Sequence, residues 1–134
     1  MAKVRVTLGA DPEFELVVCG EVVGASRVLR EDIRLPWGDI GVDGAGYPLE
    51  LRPVPSESPR TLVVNVGQLL MAIPKVVGGY PSTMCEAQPI GGHVHVGNVM
   101  EKDYERVVYA LDDSLGDIFY DLSPGIRIRH GYGR

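Results

Sequence analysis

Three short stretches of this chain hold residues that could do chemistry together. Asp11-Pro12-Glu13-Phe14-Glu15 places a carboxylate at every second position. In an extended strand, positions 11, 13 and 15 point to one face, so the three acids stand side by side. Such a row is tolerated where it faces water or where a cation neutralises it. Tyr47-Pro48-Leu49-Glu50-Leu51-Arg52 puts Glu50 and Arg52 on one strand face and Leu49 and Leu51 on the other. Alone, that carboxylate and guanidinium could be a simple surface ion pair. Gly91-Gly92-His93-Val94-His95-Val96-Gly97 sets two imidazoles at i and i+2, again on one face. His-x-His is a common metal or phosphate constellation, and the glycines let another group approach the backbone closely. Joined in one sheet, the three stretches would make a polar face of four carboxylates, two imidazoles and Arg52. Carboxylates with imidazole suit Mg²⁺ or Mn²⁺. With no thiolate on that face, structural zinc is not expected.

The elements that must position these residues follow from patterning. Alternation predicts strands at Lys3–Leu8, Glu13–Val18 and Glu21–Val23, with Cys19-Gly20 as a turn. Residues Ser26–Trp37 have no clean period and read as loop. Ile40–Val42 and Tyr47–Arg52 flank Asp43-Gly44-Ala45-Gly46, a hairpin signal. Ser58-Pro59 reads as a helix start, and Leu62, Val66, Leu69, Leu70, Ile73 and Val77 recur at helical spacing. Pro74 should kink that helix or end it early, with Gly78-Gly79 closing it at the latest. Further strands are expected at Thr83–Ala87 and His93–Val96, and a second helix from about Lys102 to Tyr120. Both helical stripes read as packing faces. The order predicts an α+β fold: an antiparallel sheet with two helices packed on one face.

Composition narrows the classes. A length of 134 residues suits one domain spanning 1–134. Hydrophobic residues at 45% and charged ones at 23% are near globular averages, so disorder is not expected. With 17 Gly and 10 Pro, the chain should be rich in tight turns. A net charge of -5 repels phosphate backbones, so nucleic-acid binding is not expected. Ile126–Arg134 is a local exception, carrying Arg127, Arg129, His130 and Arg134 without an acid, and a small anion could bind there. Cys19 and Cys85 lack a CxxC pattern and read as two buried thiols in a reducing compartment, with a single disulfide between them as the alternative. No signal peptide and no membrane span are apparent, so a cytoplasmic protein is expected.

The three stretches also carry a family resemblance. Gly9-Ala10-Asp11-Pro12-Glu13-Phe14-Glu15-Leu16 resembles the first catalytic strand of the glutamine synthetase and glutamate–cysteine ligase superfamily. Leu49-Glu50-Leu51-Arg52 is similar to its second acidic strand, and Gly91–Gly97 to its G-x-H-x-H strand. In this order the motifs look most like the phage-type COOH–NH2 ligases, or amidoligases. The tail Ile126–Arg134 resembles their R-x-x-Y-G segment, so the likeness spans residues 9 to 134. It implies a glutamine synthetase-like catalytic half-barrel. It also implies amide formation driven by ATP and Mg²⁺ (or Mn²⁺) through an acyl phosphate.

By motif matching, Asp11, Glu13, Glu50 and His93 would be metal ligands, with Glu15 a further one. His95 would lie toward the nucleotide phosphates, and Arg52 and Arg127 would bind phosphate or substrate carboxylate. Glu13, Glu50, Arg52 and Arg127 form the implied catalytic set. The implied partners are a small-molecule or peptide carboxylate and an amine. The location would be the cytoplasm, the host's if the chain is phage-encoded. Family members are usually longer, with a further Glu- and Arg-containing strand. A homo-oligomer or a completing partner chain is therefore expected.

Two other classes compete. A cupin-like or metal-dependent hydrolase is suggested by His93-x-His95 followed by Glu101, but that spacing is longer than the cupin pattern, and no second His-bearing motif follows. A non-catalytic interaction or phage structural module on a ligase-like scaffold is the other.

Overall fold

The computed structural model describes residues 5–113 apart from Ala45, Cys85, Gln88 and Asp112. Two compact units divide the chain, residues 1–98 and 99–134. The first carries β1 (Thr7–Ala10), β2 (Glu13–Val18), β3 (Glu21–Val23), β4 (Ile33–Leu35), β5 (Gly38–Val42), β6 (Leu49–Pro53), helix α1 (Pro59–Val76), β7 (Tyr80–Ser82) and β8 (Val94–Gly97). Six strands make one antiparallel sheet in the order β3-β2-β6-β5-β4, with β7 also on β2, while β1 and β8 pair as a separate ribbon. Leu8 and Ser56 exchange backbone bonds of 2.8 and 2.9 Å, which ties the ribbon to the chain just past β6.

The core explains why these strands sort their faces. Leu49 and Leu51 of β6, Leu16 of β2 and Ile40 of β5 are fully buried with Leu69 and Ile73 of α1. Burying each such side chain contributes on the order of 1.5–3 kcal/mol. Because side chains alternate along a strand, burying Leu49 and Leu51 under α1 turns Glu50 and Arg52 to the opposite face. The hydrophobic pattern of β6 thus decides which way its chemistry points.

Helix α1 starts as its sequence predicts. The Ser58 hydroxyl accepts from the Thr61 N–H at 3.4 Å, and Pro59 is the first helical residue. Pro74 does not end it; the helix runs to Val76, and the Val77 N–H still bonds the Ile73 carbonyl at 2.9 Å. Pro74 sits in the last turn, where its missing N–H removes a single ladder bond and few residues remain to be deflected. Gly78, at φ +82°, lies just beyond the helix.

Other differences are local. Residues 26–37 are not all loop, because they include part of a 3-10 turn, Ala25–Arg27, and the edge strand β4. Ile33 and Leu35 of β4 pack on the core, so pairing with β5 rather than local periodicity makes this strand. The strand expected at Thr83–Ala87 lies instead at Tyr80–Ser82, where Pro81 hides the pattern. β7 tolerates this proline because it lies at the margin of the sheet. The first strand begins at Thr7 and runs to Ala10, and β8 sits one residue later than expected. Cys19 is not buried: it is an exposed free thiol in the β2–β3 turn, at φ +52°. Cys85 lies outside the described residues.

The second unit has a 3-10 turn, Glu101–Asp103, followed by helix at residues 104–111 and 113. The remainder of the expected second helix and the whole tail lie outside the described residues. Antiparallel α+β structure is therefore what the chain has, with α1 against the six-stranded sheet. No helix among the described residues is long and apolar enough to cross a membrane.

Candidate functional site

The two motif-bearing segments 7–13 and 91–97 run antiparallel in one continuous register. Gly9 faces His95 and Ala10 faces Val94 in the β1–β8 ladder. Beyond it, the Asp11 N–H donates to the His93 carbonyl at 3.1 Å and the Glu13 N–H to the Gly91 carbonyl at 2.9 Å. On its other side Glu13 faces Glu50 of β6, and Glu50 faces Gly41 of β5. The Leu51 N–H bonds the Pro12 carbonyl at 3.0 Å, and the Glu13 N–H is turned away to Gly91. Glu13 and Glu50 are thus a non-hydrogen-bonded pair, the kind whose side chains stand closest.

That placement concentrates negative charge. Glu13, Asp43 and Glu50 each offer an oxygen within 4.8 Å of the others. Asp43 follows β5 directly, and the turn it opens is closed by its carbonyl accepting from the Gly46 N–H at 2.6 Å. Like charges set opposite each other in a sheet are destabilising. Arg52 offsets part of this: Nε donates to Glu50 Oε1 at 2.5 Å, Nη1 to Asp32 Oδ2 at 2.7 Å and Nη2 to the Val42 carbonyl at 3.1 Å. The bond to Glu50 raises the Arg52 pKa; burial opposes it, and the charges of Glu50 and Asp32 add to the rise. The guanidinium lies over Gly41, where a Cβ would come within 2.6 Å of Nη1 and closer still to Asp32 Oδ1. Only glycine leaves that space.

A second cluster forms on the ribbon. Asp11 Oδ1 accepts from the His93 N–H at 2.5 Å and lies 3.1 Å from His93 Nδ1, and Oδ2 lies 2.9 Å from His95 Nε2. Burial pushes the Asp11 carboxyl up. The His95 side-chain bond, the His93 backbone bond and the charges of both imidazoles outweigh it, so the net shift is downward. The His93 and His95 side chains remain 70% and 60% exposed, open to a ligand. Asp11, His95, Glu50 and Arg52 line one open cavity of about 420 Å³.

Glu15 goes elsewhere. It is fully buried, and its oxygens accept from the backbone N–H groups of Glu86 at 2.9 Å and Ala87 at 2.7 Å. The structure therefore brings Glu13 and Glu50 together, joins Asp11 to His93 and His95, and sets Arg52 beside Glu50. Arg127 lies outside the described residues.

Sequence reading missed Asp43 and Asp32. Asp43 explained itself as a turn residue. The signal for it was Gly41, which shares its strand face and sits opposite Glu50. Asp32 lies in a stretch without periodicity and gave no signal.

The antiparallel α+β scaffold thus carries an acidic cluster of Glu13, Asp43 and Glu50 beside a carboxylate–imidazole cluster of Asp11, His93 and His95. A family model described as phage phiEco32-like COOH-NH2 ligase, type 2, matches residues 8–133, which takes in all three motifs. The chain belongs to this family of carboxylate–amine ligases. No curated protein and no solved structure matches it.

Proposed function

We propose that this chain is an ATP- and Mg²⁺-dependent ligase on a glutamine synthetase-like half-barrel, joining a carboxylate to an amine through an acyl phosphate. The observation that supports it best is the convergence of Glu13, Asp43 and Glu50 beside a cavity lined by Asp11, His95 and Arg52. Three carboxylates suit a hard cation, Mg²⁺ or Mn²⁺, and such a charge would offset the pairing of Glu13 with Glu50. The bound ion would supply charge neutralisation for transferring phosphate.

In this reading Glu13, Asp43 and Glu50 would hold the ion. Asp11 would orient His93 and His95, whose exposed rings would border the nucleotide phosphates. Arg52 would hold Glu50 in its ligating position and offer its two remaining N–H groups to a substrate anion. Arg127 would contact the substrate carboxylate or phosphate, a role that rests on the resemblance alone. A substrate carboxylate oxygen attacks the γ-phosphorus and ADP departs. The amine nitrogen then attacks the acyl carbon, phosphate departs and the nitrogen loses a proton. The proposal includes a small-molecule or peptide carboxylate and amine as substrates. It also includes a cytoplasmic setting, and a homo-oligomer or completing partner chain.

Isothermal titration with ATP, with and without Mg²⁺, tests this reading at a known oligomeric state. Saturable binding that needs Mg²⁺ supports it. Absence of binding in both titrations sinks it.

A further inference from the structure

We infer that Glu15 is a positioning residue: its buried carboxylate ties the backbone at Glu86 and Ala87 to β2, so that Gly91 and His93 arrive in register on Glu13 and Asp11. The inference deepens the proposed function, and its catalytic consequence rests on that reading. The three acids of the Asp11–Glu15 stretch all accept main-chain N–H groups from one returning segment, in order. Asp11 takes His93, Glu13 takes Gly91 at 2.8 Å, and Glu15 takes Glu86 and Ala87. Their burial differs. Asp11 and Glu13 are half-buried and border the acidic and imidazole clusters, while Glu15 is wholly enclosed.

A buried carboxylate is costly unless it is well hydrogen-bonded. Charge-assisted bonds to backbone N–H groups are about twice as strong as neutral ones. Glu15 therefore has good reason to stay on the 86–87 backbone. Four residues separate Ala87 from Gly91's neighbour Gly92, so an anchor at 87 restricts where the His-x-His strand begins. A strand slipped by one residue would turn both imidazoles to the other face.

The first experiment uses the unaltered chain. Side-chain carboxyl resonances and amide exchange are followed by NMR during Mg²⁺ titration. The expected result is that Glu13 and Glu50 resonances move, the Glu15 resonance does not, and the Glu86 and Ala87 amides stay protected. Movement of Glu15 with lost protection at 86 and 87 would overturn the inference in favour of a ligand role. If no carboxyl resonance moves, the metal reading fails, and the anchor is judged by Glu15→Gln alone.

That variant places an amide nitrogen where an acceptor is needed. Exchange at Glu86 and Ala87 should rise about 10- to 100-fold, and should rise also at Gly91 and His93, with a shift of the His93 imidazole nitrogen resonance. Glu15→Asp, which keeps the charge, should restore part of the protection. Acceleration confined to 86 and 87, with 91, 93 and the imidazole unchanged, would make Glu15 a local brace and overturn the positioning role.

Discussion

The two clusters beside the cavity solve the problem of packed carboxylates in opposite ways. On the ribbon, Asp11 is flanked by His93 and His95, and its oxygens accept bonds from both imidazoles and a backbone N–H. On the six-stranded sheet, Glu13, Asp43 and Glu50 crowd together, with Arg52 bonded to Glu50. The carboxylate of the first has hydrogen-bond partners on both oxygens. The second concentrates charge that a sheet tolerates only at a cost, which a cation would relieve.

Breaking the acidic cluster should have the largest effect. Glu13→Gln is expected to abolish Mg²⁺-dependent ATP binding in calorimetry while far-UV circular dichroism stays native. A variant that bound MgATP as tightly as the parent would remove Glu13 from the site. Next comes the spacing that lets Arg52 reach Glu50 and Asp32. Gly41→Ala puts a methyl group into the guanidinium and should cost about 1–3 kcal/mol of stability in urea titration. An unchanged urea midpoint would mean that Arg52 has room to move aside.

The contrast itself is sharpened by metal-linked stability. Mg²⁺ at ten times its dissociation constant should stabilise the parent by about 1.4 kcal/mol. Thermal scans should show that gain lost in Glu50→Gln and kept in His93→Gln. Equal loss in both would merge the two clusters into one metal site.

The smallest effect concerns acid. The Asp11 carboxyl is held below its ordinary value of 3.8, so its contribution to stability is full above that pH and is lost as pH falls through the lower folded value. Asp11→Asn should therefore flatten the fall of stability below pH 4. A parent-like acid slope in that variant would show that the imidazoles do not hold the charged form.

Much of the scaffold was legible because its signals are local. β2 and β3 begin and end where alternation places them, and Ser58-Pro59 marks the start of α1 through its own capping bond. The polar faces of the motif stretches were also readable, since burying Leu49 and Leu51 leaves Glu50 only one way to point. β4 and β7 were not, because Ile33–Leu35 lies in a stretch without a clean period and Pro81 interrupts Tyr80–Ser82, and their ladder partners make them. Cys19 was expected inside and lies outside, because a two-residue turn with positive φ presents its side chain to water.

The same division holds at the site. By itself the sequence determined which residues could carry the chemistry, and its ordered motifs determined the family, because residue types and alternation are properties of neighbours along the chain. Only the tertiary structure decided how those residues are shared out. Strand register set Glu13 against Glu50 and brought Asp43 in from a turn. It closed Asp11 onto the two histidines, and it withdrew Glu15 into the interior to hold the backbone. Register is a relation between distant segments, as in His95 with Asp11, 84 residues apart, and no local pattern encodes such a distance.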